Sequence, residues 1–337
     1  MAPPPHVSAP SSPVSALHRL PRVPASFFGI VLGLGGLGGA WREAHKVWGL
    51  PAMVGEALML AATLIWLALL VAYAGKWITA QQEARSELDH PIQCCFVGLI
   101  GVATMLIALG ALPYSRSLAV VLVTLGTVFT ALFGLWRTGL LWRGGREHST
   151  TTPVMYLPTV AGSFVTATCL GALGHADWGQ LAFGAGFFSW LAIESVLMVR
   201  LYTAPTLDPL LRPSLGIQLA PPTVGLVTYL AVTQGPPDVL AHAFLGYGLL
   251  QGLLLLRMLP WIAEHPFTAS YWGFTFGLTA LATAPLRMIG RGETGAVALL
   301  APCLFVIANV AIAWIALLTL RLLVQGRLFP RPAAAGR

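Results

Sequence analysis

Charged residues are scarce in this 337-residue chain. Asp, Glu, Lys and Arg make up only 9% of it, whereas hydrophobic residues make up 56%. A soluble domain carries about 25% charged residues, so the composition argues against a soluble enzyme. It also excludes disorder of the whole chain, because disorder requires low hydrophobicity. The balance predicts an all-α polytopic membrane protein.

The chain also lacks the residue clusters that catalysis and metal binding require. Its four cysteines lie in apolar runs without zinc-type spacing. No HExxH, GxSxG or Walker sequence is present. We therefore expect no enzymatic activity, no metal site and no cofactor. The formal net charge of +7 does not indicate a nucleic-acid partner, because the basic residues stand singly at the ends of apolar runs.

Ten apolar runs approach the length needed to cross a bilayer, which is about 20 residues. The connections between them are short, and several are tight joints such as Leu112-Pro113-Tyr114. We predict one ten-helix membrane domain over 25–323, built as five helical hairpins. A disordered tail at 1–24 and a cytoplasmic tail at 324–337 are expected to flank it. The runs are 25–42, 53–75, 91–111, 117–137, 154–173, 178–199, 214–233, 239–260, 267–288 and 295–321.

Lys and Arg are unevenly divided between the two sides of these runs. If both termini are cytoplasmic, 14 of the 19 basic residues lie on the cytoplasmic side. An excess of basic residues marks the cytoplasmic side of a membrane protein. The distribution therefore predicts an even number of spans with both termini inside. The five residues on the other side are Arg42, Lys46, Arg116, Arg287 and Arg291.

Proline and glycine are frequent within the spans. Pro158, Pro221 and Pro285 fall inside odd-numbered runs, where proline interrupts helical hydrogen bonds and kinks the helix. The freed carbonyls are tolerated only against protein or a watery cavity. This pattern predicts a ring of kinked helices inside a straighter outer ring. Gly33 stands at helical spacing with Gly29, which suits either close helix packing or the lining of a pore.

Polar residues inside the runs are few. Glu194 is the only acidic residue deep in a span, and intramembrane ionisable residues are candidates for function by default. Two interpretations of Glu194 stay open. It forms a structural ion pair with an arginine near a helix end, or it takes part in ion passage. Gln251 and Asn309 suit interhelical hydrogen bonds or contact with a permeant solute. The arginines considered are Arg137, Arg200 and Arg257.

Phe276 lies several residues into the ninth run and is followed by Gly277. Aromatic residues near a membrane interface ordinarily belong to the interfacial belt. A large apolar ring in a narrow lumen can also close that lumen by excluding water. Both interpretations are compatible with the residues alone.

Many short stretches, in order and at matching spacing, resemble one known family. They include Phe27-Phe28-Gly29-Ile30, Ala40-Trp41-Arg42, Leu141-Trp142-Arg143-Gly144, Tyr156-Leu157-Pro158-Thr159-Val160-Ala161, Ser214-Leu215-Gly216-Ile217-Gln218-Leu219-Ala220-Pro221, Gly246-Tyr247-Gly248-Leu249-Leu250-Gln251 and Phe274-Thr275-Phe276-Gly277. The chain is similar to the tellurite-resistance/dicarboxylate transporter family, and more distantly to the slow anion channels of plant guard cells. The resemblance runs from about residue 27 to 329.

The resemblance implies ten helices in five hairpins around a central pore in each protomer, with the odd-numbered helices lining it. It implies a homotrimer in the bacterial cytoplasmic (inner) membrane and a phenylalanine on the ninth helix that occludes the pore. The matching residue here is Phe276. A relative has proline after Phe-Gly-Ile, where this chain has Val31, so we expect the first helix to kink less. The remaining pore-lining or kink candidates are Gly33, Pro158, Pro221 and Gly277.

Two functions are compatible with these observations. The first is a passive channel for small inorganic or organic anions. The second is a proton-coupled carrier for C4-dicarboxylates or oxyanions such as tellurite, in which Glu194 takes the proton.

Overall fold

The computed structural model describes residues 21–329, so most of both predicted tails lies outside the described residues. Within that range the chain forms eleven α-helices and no β-strand, which confirms the all-α prediction there. The helices are α1 Phe28–Trp48, α2 Ala52–Thr79, α3 Gln81–Asp89, α4 Leu99–Ala111, α5 Arg116–Trp142, α6 Gly162–Ala172, α7 Ala176–Thr203, α8 Ala220–Val232, α9 Val239–Ile262, α10 Thr275–Ile289 and α11 Ala296–Val324.

Eight helical stretches are long and apolar enough to cross a membrane. They fall into two groups by burial. In three of them, 67–78% of the most apolar window is buried, whereas in the other five only 17–33% is buried. The exposed apolar surface of the second group suits contact with lipid. The buried stretches are Gln93–Ala111, Pro153–Ala172 and Arg212–Val232, and the exposed ones are α2, α5, α7, α9 and α11.

The first and ninth predicted runs are helical but are not among these eight. Helix α1 contains six glycines and the charged residues Arg42, Glu43 and Lys46. Helix α10 carries threonine at every fourth position from Thr275, and most of its residues are buried. Both helices face protein rather than lipid, so they do not need a uniformly apolar surface.

The five buried helices contact one another in a closed cycle. Helix α1 packs against α4, α4 against α6, α6 against α8, α8 against α10, and α10 against α1. Each also packs against the exposed helix that follows it among the long helices: α1 with α2, α4 with α5, α6 with α7, α8 with α9, and α10 with α11. The chain therefore folds as five successive helix pairs whose first members lie inside.

Each buried helix is preceded by a tighter helical segment. The prolines explain part of this pattern, because proline lacks the N–H that continues an α-helix. Pro158 lies in a π-helical turn, and Pro221 occupies the first turn of α8, where its ring is accommodated. Pro285 lies within α10 without ending it. The 3₁₀ segments that precede the buried helices are Ala25–Phe27, Gln93–Gly98, Pro153–Tyr156, Arg212–Leu219 and Ala269–Phe274. Helix α1, which has Val31 where a relative has proline, runs unbroken from Phe28 to Trp48.

Both described ends of the chain lie at the same face of the bundle. The rings of Phe27 and Phe329 approach to 5.9 Å between centroids. We call this the terminal face and the other the opposite face. The tight 3₁₀ segments lie in the terminal half. The ends of helices at the opposite face carry Arg42, Lys46, Arg116, Arg287 and Arg291.

Candidate functional site

A small cavity lies among the buried helices in the terminal half of the bundle. Its volume is about 60 Å³, and its walls are almost entirely apolar. The hydroxyl-bearing residues in its wall are Ser26, Tyr156 and Ser270. Pro221, a residue singled out in the sequence, also lines it. No Asp, Glu, Lys or Arg side chain contributes to this wall.

A larger cavity, of about 390 Å³, opens toward the opposite face. Its deeper wall combines apolar side chains, among them Leu106, Val165 and Val227, with small and hydroxyl-bearing residues, and its outer rim carries charged side chains. Three glycines of α1 line this cavity together with threonines of α10, and a Cβ placed on Gly36 would lie 3.0 Å from the Thr279 Cβ. The wall includes Gly35, Gly36, Gly39, Thr168, Thr279 and Thr283, and the rim includes Arg42, Glu43, Lys46, Glu56 and Arg287.

Phe276 and Val224 are the two residues that line both cavities. Phe276 stands at the start of α10, and Val224 belongs to α8. The aromatic ring and the valine side chain therefore lie between the two spaces. The sequence singled out Phe276 but missed Val224, because nothing in its neighbourhood distinguishes it from other apolar residues.

The backbone around Phe276 is held by close packing on both sides. A Cβ placed on Gly277 would lie 2.8 Å from the Leu219 Cβ and 2.9 Å from the Ala220 nitrogen. The Thr223 hydroxyl also donates to the Gly277 carbonyl at 3.1 Å. On the other side, a Cβ placed on Gly33 would lie 2.8 Å from the Thr275 Cβ. Gly33 and Gly277 thus lie at helix contacts that fix the position of Phe276, and neither lines the two cavities.

Pro158 lies elsewhere. It lines a crevice of about 540 Å³ between α5, α6 and α7. Its carbonyl oxygen approaches α5 so closely that a Cβ placed on Gly134 would lie 2.6 Å away. The structure therefore places Pro158 where the segment before the buried helix α6 contacts the exposed helix α5 of the preceding pair.

The charged rim at the opposite face is organised around two glutamates. Glu56 accepts two hydrogen bonds from Arg42, at 2.8 and 2.6 Å, and one from the Tyr114 hydroxyl at 2.6 Å. The hydrogen bond to the Glu56 carboxylate raises the pKa of Tyr114. Glu43 lies 3.3 Å from the Arg287 Nε and 3.2 Å from the Lys46 Nζ. Three cationic groups thus share two carboxylates, which leaves a local excess of one positive charge.

Glu194 makes no ion pair with the arginines of the described residues. Neutral groups donate to its carboxylate instead. Tyr156 donates to Oε2, Trp190 donates to Oε2 at 3.1 Å, and Tyr247 donates to Oε1 at 2.6 Å. Gln251 donates to the Tyr247 hydroxyl at 2.8 Å and to Oε1 at 3.4 Å. The ion-pair interpretation is wrong, because uncharged donors from several helices saturate this carboxylate.

This network reaches the terminal-side cavity through one residue. Tyr156 lines the cavity and is also a partner of Glu194, whereas Glu194 itself lines neither cavity. Asn309 lies away from both cavities and accepts a hydrogen bond from the Trp41 indole at 2.8 Å, which links α11 to α1.

No group of three or more His, Cys, Asp and Glu side chains with metal-holding geometry occurs within residues 21–329. The two cavities differ in polarity: the terminal-side cavity is apolar, and the larger cavity has a mixed wall with a charged rim, with the Phe276 ring and the Val224 side chain between them.

Comparison with known proteins finds relatives over most of the chain. A family model described as SLAC1, voltage-dependent anion channel, matches residues 22–320. A tellurite resistance protein TehA homolog from Haemophilus influenzae is 36% identical over 308 residues, which cover 91% of this chain and 93% of that protein. The S-type anion channel SLAH3 of Arabidopsis thaliana is 24% identical, over 79% of this chain and 43% of the plant protein. The guard cell S-type anion channel SLAC1 of the same plant is 22% identical over 79% of this chain and 50% of its own length.

Proposed function

Because the chain belongs to the SLAC1/TehA family of anion channels and transporters, we propose that it is a passive anion channel whose closed pore is occluded by Phe276. In this proposal the ten apolar runs all cross the membrane as five hairpins. The cycle formed by α1, α4, α6, α8 and α10 surrounds the pore. The two cavities are the accessible parts of that pore.

The position of Phe276 is the observation that carries the proposal. It lies in the wall of both cavities, and Val224 is the one other residue that does so. An apolar constriction opposes ion passage because it excludes the water that hydrates the ion. Movement of one phenyl ring would join the two spaces, while the flanking backbone stays fixed by its packing against Leu219 and Thr275.

The charges near the path favour anions without holding them tightly. The rim at the opposite face has three cationic groups and two carboxylates, and the terminal-side cavity has no charged side chain. A locally positive entrance raises the concentration of anions, and weak binding suits conduction because the ion must also leave.

The decisive experiment is anion flux in reconstituted vesicles, comparing the wild type with Phe276→Ala. We expect the substitution to increase flux at least tenfold. Phe96→Ala is the matched control, because Phe96 lines the terminal-side cavity but not the larger one. Its loss should leave flux within twofold of the wild type. Equal flux in Phe276→Ala and wild-type protein would refute the gate. Nitrate, chloride, C4-dicarboxylates and tellurite should be compared in the same assay.

Assembly and location follow from the family resemblance as further proposals. We expect a homotrimer with one pore in each protomer, resident in a bacterial inner membrane with both termini in the cytoplasm. Native mass spectrometry in detergent tests the trimer. Labelling of cysteines introduced at the terminal face, in intact cells and in inverted vesicles, tests the orientation.

A proton-coupled carrier is the alternative that one contact supports. Tyr156 lines the terminal-side cavity, and its hydroxyl donates to the Glu194 carboxylate. Protonation of Glu194 would therefore change the hydrogen bonding of a residue in the cavity wall. If coupling occurs, uptake should depend on a pH gradient, and Glu194→Gln should abolish that dependence. Gradient-independent, ohmic current that persists in Glu194→Gln would establish the passive channel.

A further inference from the structure

Two arginines lie near the terminal face, outside the proposed pore. Arg137 lies near the end of α5, and Arg146 lies in the segment that follows this helix. The two guanidinium groups are within electrostatic range of each other and of the thiols of Cys94 and Cys95. One nitrogen of each is satisfied by a backbone carbonyl: Arg137 Nη2 donates to Pro91 at 3.1 Å, and Arg146 Nη2 donates to a carbonyl in its own loop.

Three further donor nitrogens of these guanidinium groups are buried and have no partner in the part of the chain that the structure describes. The Arg137 Nε, the Arg146 Nε and the Arg146 Nη1 have no hydrogen-bond partner among the described residues. Neither arginine forms an ion pair within residues 21–329. A carboxylate side chain outside this range cannot pair with them either, because all Asp and Glu residues of the sequence lie within it. The neighbouring Glu147 is exposed and accepts from Ser149 instead.

Two other shielded cations of this protein pair with a carboxylate, whereas a third, Arg200, is 6% exposed and forms no ion pair within residues 21–329. Lys76 lies 2.6 Å from Glu87, and Arg212 lies 2.5 Å from Glu264. A buried charge without a partner is strongly unfavourable, and arginine does not escape by releasing its proton. The unpartnered donors of Arg137 and Arg146 therefore favour a negatively charged acceptor, which the side-chain carboxylates of this chain do not supply.

We propose that Arg137 and Arg146 form a binding site for a phosphate-type oxyanion at the terminal face. Two guanidinium forks with free N–H donors match the oxygens of a phosphate group, and arginine is well suited to such bidentate contacts. The group is either free inorganic phosphate or the headgroup phosphate of an anionic phospholipid. This site is separate from the proposed pore, because neither arginine lines the two cavities.

Thermal unfolding of the purified full chain in detergent tests the site. Sodium phosphate is titrated against sodium chloride at constant ionic strength. We expect saturating phosphate to raise the Tm of the wild type by roughly 5 °C, from the linkage of binding to stability. Arg137→Gln/Arg146→Gln should lose this shift, and its Tm without phosphate should not fall below that of the wild type, since two uncompensated charges have been removed. Arg143→Gln is the matched control, because Arg143 is an exposed arginine of the same segment.

A parallel arm identifies the source of the phosphate. Delipidated protein is mixed with micelles containing phosphatidylglycerol or phosphatidylcholine, and native mass spectrometry counts the retained lipid. Stabilisation by phosphatidylglycerol that the double variant loses assigns a headgroup, whereas stabilisation by phosphate alone assigns the free ion. Cys95→Ser should keep the wild-type response. The proposal is overturned if neither probe stabilises the wild type, if chloride acts equally, if the double variant still responds, or if Cys95→Ser abolishes the response.

Discussion

Gly33 packs directly against Thr275, the residue that precedes the proposed gate. A Cβ on Gly33 would lie 2.8 Å from the Thr275 Cβ and 2.8 Å from the Trp272 ring. Real Cβ atoms do not approach other carbons so closely, so the contact between α1 and α10 at this level depends on glycine. The same contact fixes one side of Phe276.

We therefore expect Gly33→Ala to destabilise the protein by about 1–3 kcal/mol, the usual cost of forcing a methyl group into a packed contact. Gly246→Ala is the matched control, since a Cβ there meets nothing within 4 Å on the exposed side of α9. That change should stabilise the helix by roughly 0.5–1 kcal/mol. Chemical or thermal unfolding of both variants in detergent checks the difference. Equal stability of the two variants would show that α1 and α10 can move apart to accommodate the methyl group at little cost.

The apolar runs predict the long helices well, because lipid exposure imposes a clear composition on α2, α5, α7, α9 and α11. Proline predicts an interruption in the seventh run, and there the structure changes from 3₁₀ helix to α-helix at Ala220, next to Pro221. Hydropathy is less informative for helices that face protein. Helix α10, which carries Phe276, lies among the less apolar stretches for that reason.

The partners of Glu194 could not be predicted from the sequence. Charge complementarity suggested an arginine, but the donors are Tyr156 and Tyr247, which lie 38 and 53 positions away and belong to other parts of the fold. Only Trp190, one helical turn earlier, was within reach of a local argument. The wall of the larger cavity had a weak signal, because Thr275, Thr279 and Thr283 share one face of α10.

The charged rim predicts a salt-dependent effect on flux. Glu43 lies between Arg287 and Lys46 at the mouth of the larger cavity. Glu43→Gln should increase anion flux roughly two- to tenfold at about 10 mM salt, because it removes a negative charge from the path. The gain should vanish near 1 M salt, where the Debye length is about 3 Å. Glu264→Gln is the control, since Glu264 pairs with Arg212 at the terminal face and lines neither cavity. An increase that persists at 1 M salt would point to a structural cause instead.

Asp238 caps α9 at the opposite face and predicts a pH-dependent contribution to stability. The Tyr229 hydroxyl and the Ala241 N–H both donate to its carboxylate, and these hydrogen bonds lower the pKa of Asp238. A carboxylate whose pKa is lower in the folded state stabilises the protein above its unfolded pKa, near 3.9, and loses that contribution as the pH falls through the folded value. Asp238→Ala should cost about 1 kcal/mol at pH 7, and the cost should shrink below pH 4. Asp238→Asn, which can still cap the helix, should cost less. Unfolding curves between pH 3 and 7 check this, and a cost that does not change with pH would contradict it.

Two glutamates on the short helix α3 offer a comparison of a buried ion pair with an exposed one. Glu87 lies 2.6 Å from the Lys76 Nζ and accepts the Ala25 N–H at 2.7 Å, and both ion-pair side chains are at most 8% exposed. Glu83 pairs with Arg22, but these side chains are 49% and 43% exposed. Breaking a buried pair leaves an uncompensated charge, whereas an exposed pair is screened by water.

Glu87→Gln should therefore destabilise the protein by about 3–5 kcal/mol, and Glu83→Gln by less than about 1 kcal/mol. The residue type, the substitution and the helix are the same, so the difference reports the burial of Glu87 together with its hydrogen bond from the Ala25 N–H. The Ala25 N–H precedes α1 directly, so loss of Glu87 should also loosen the start of the helix that packs against α10. Hydrogen exchange of the amides of residues 25–30 provides the second readout. Unfolding free energies that fall equally in both variants would show that Lys76 finds water or another partner once Glu87 is neutral.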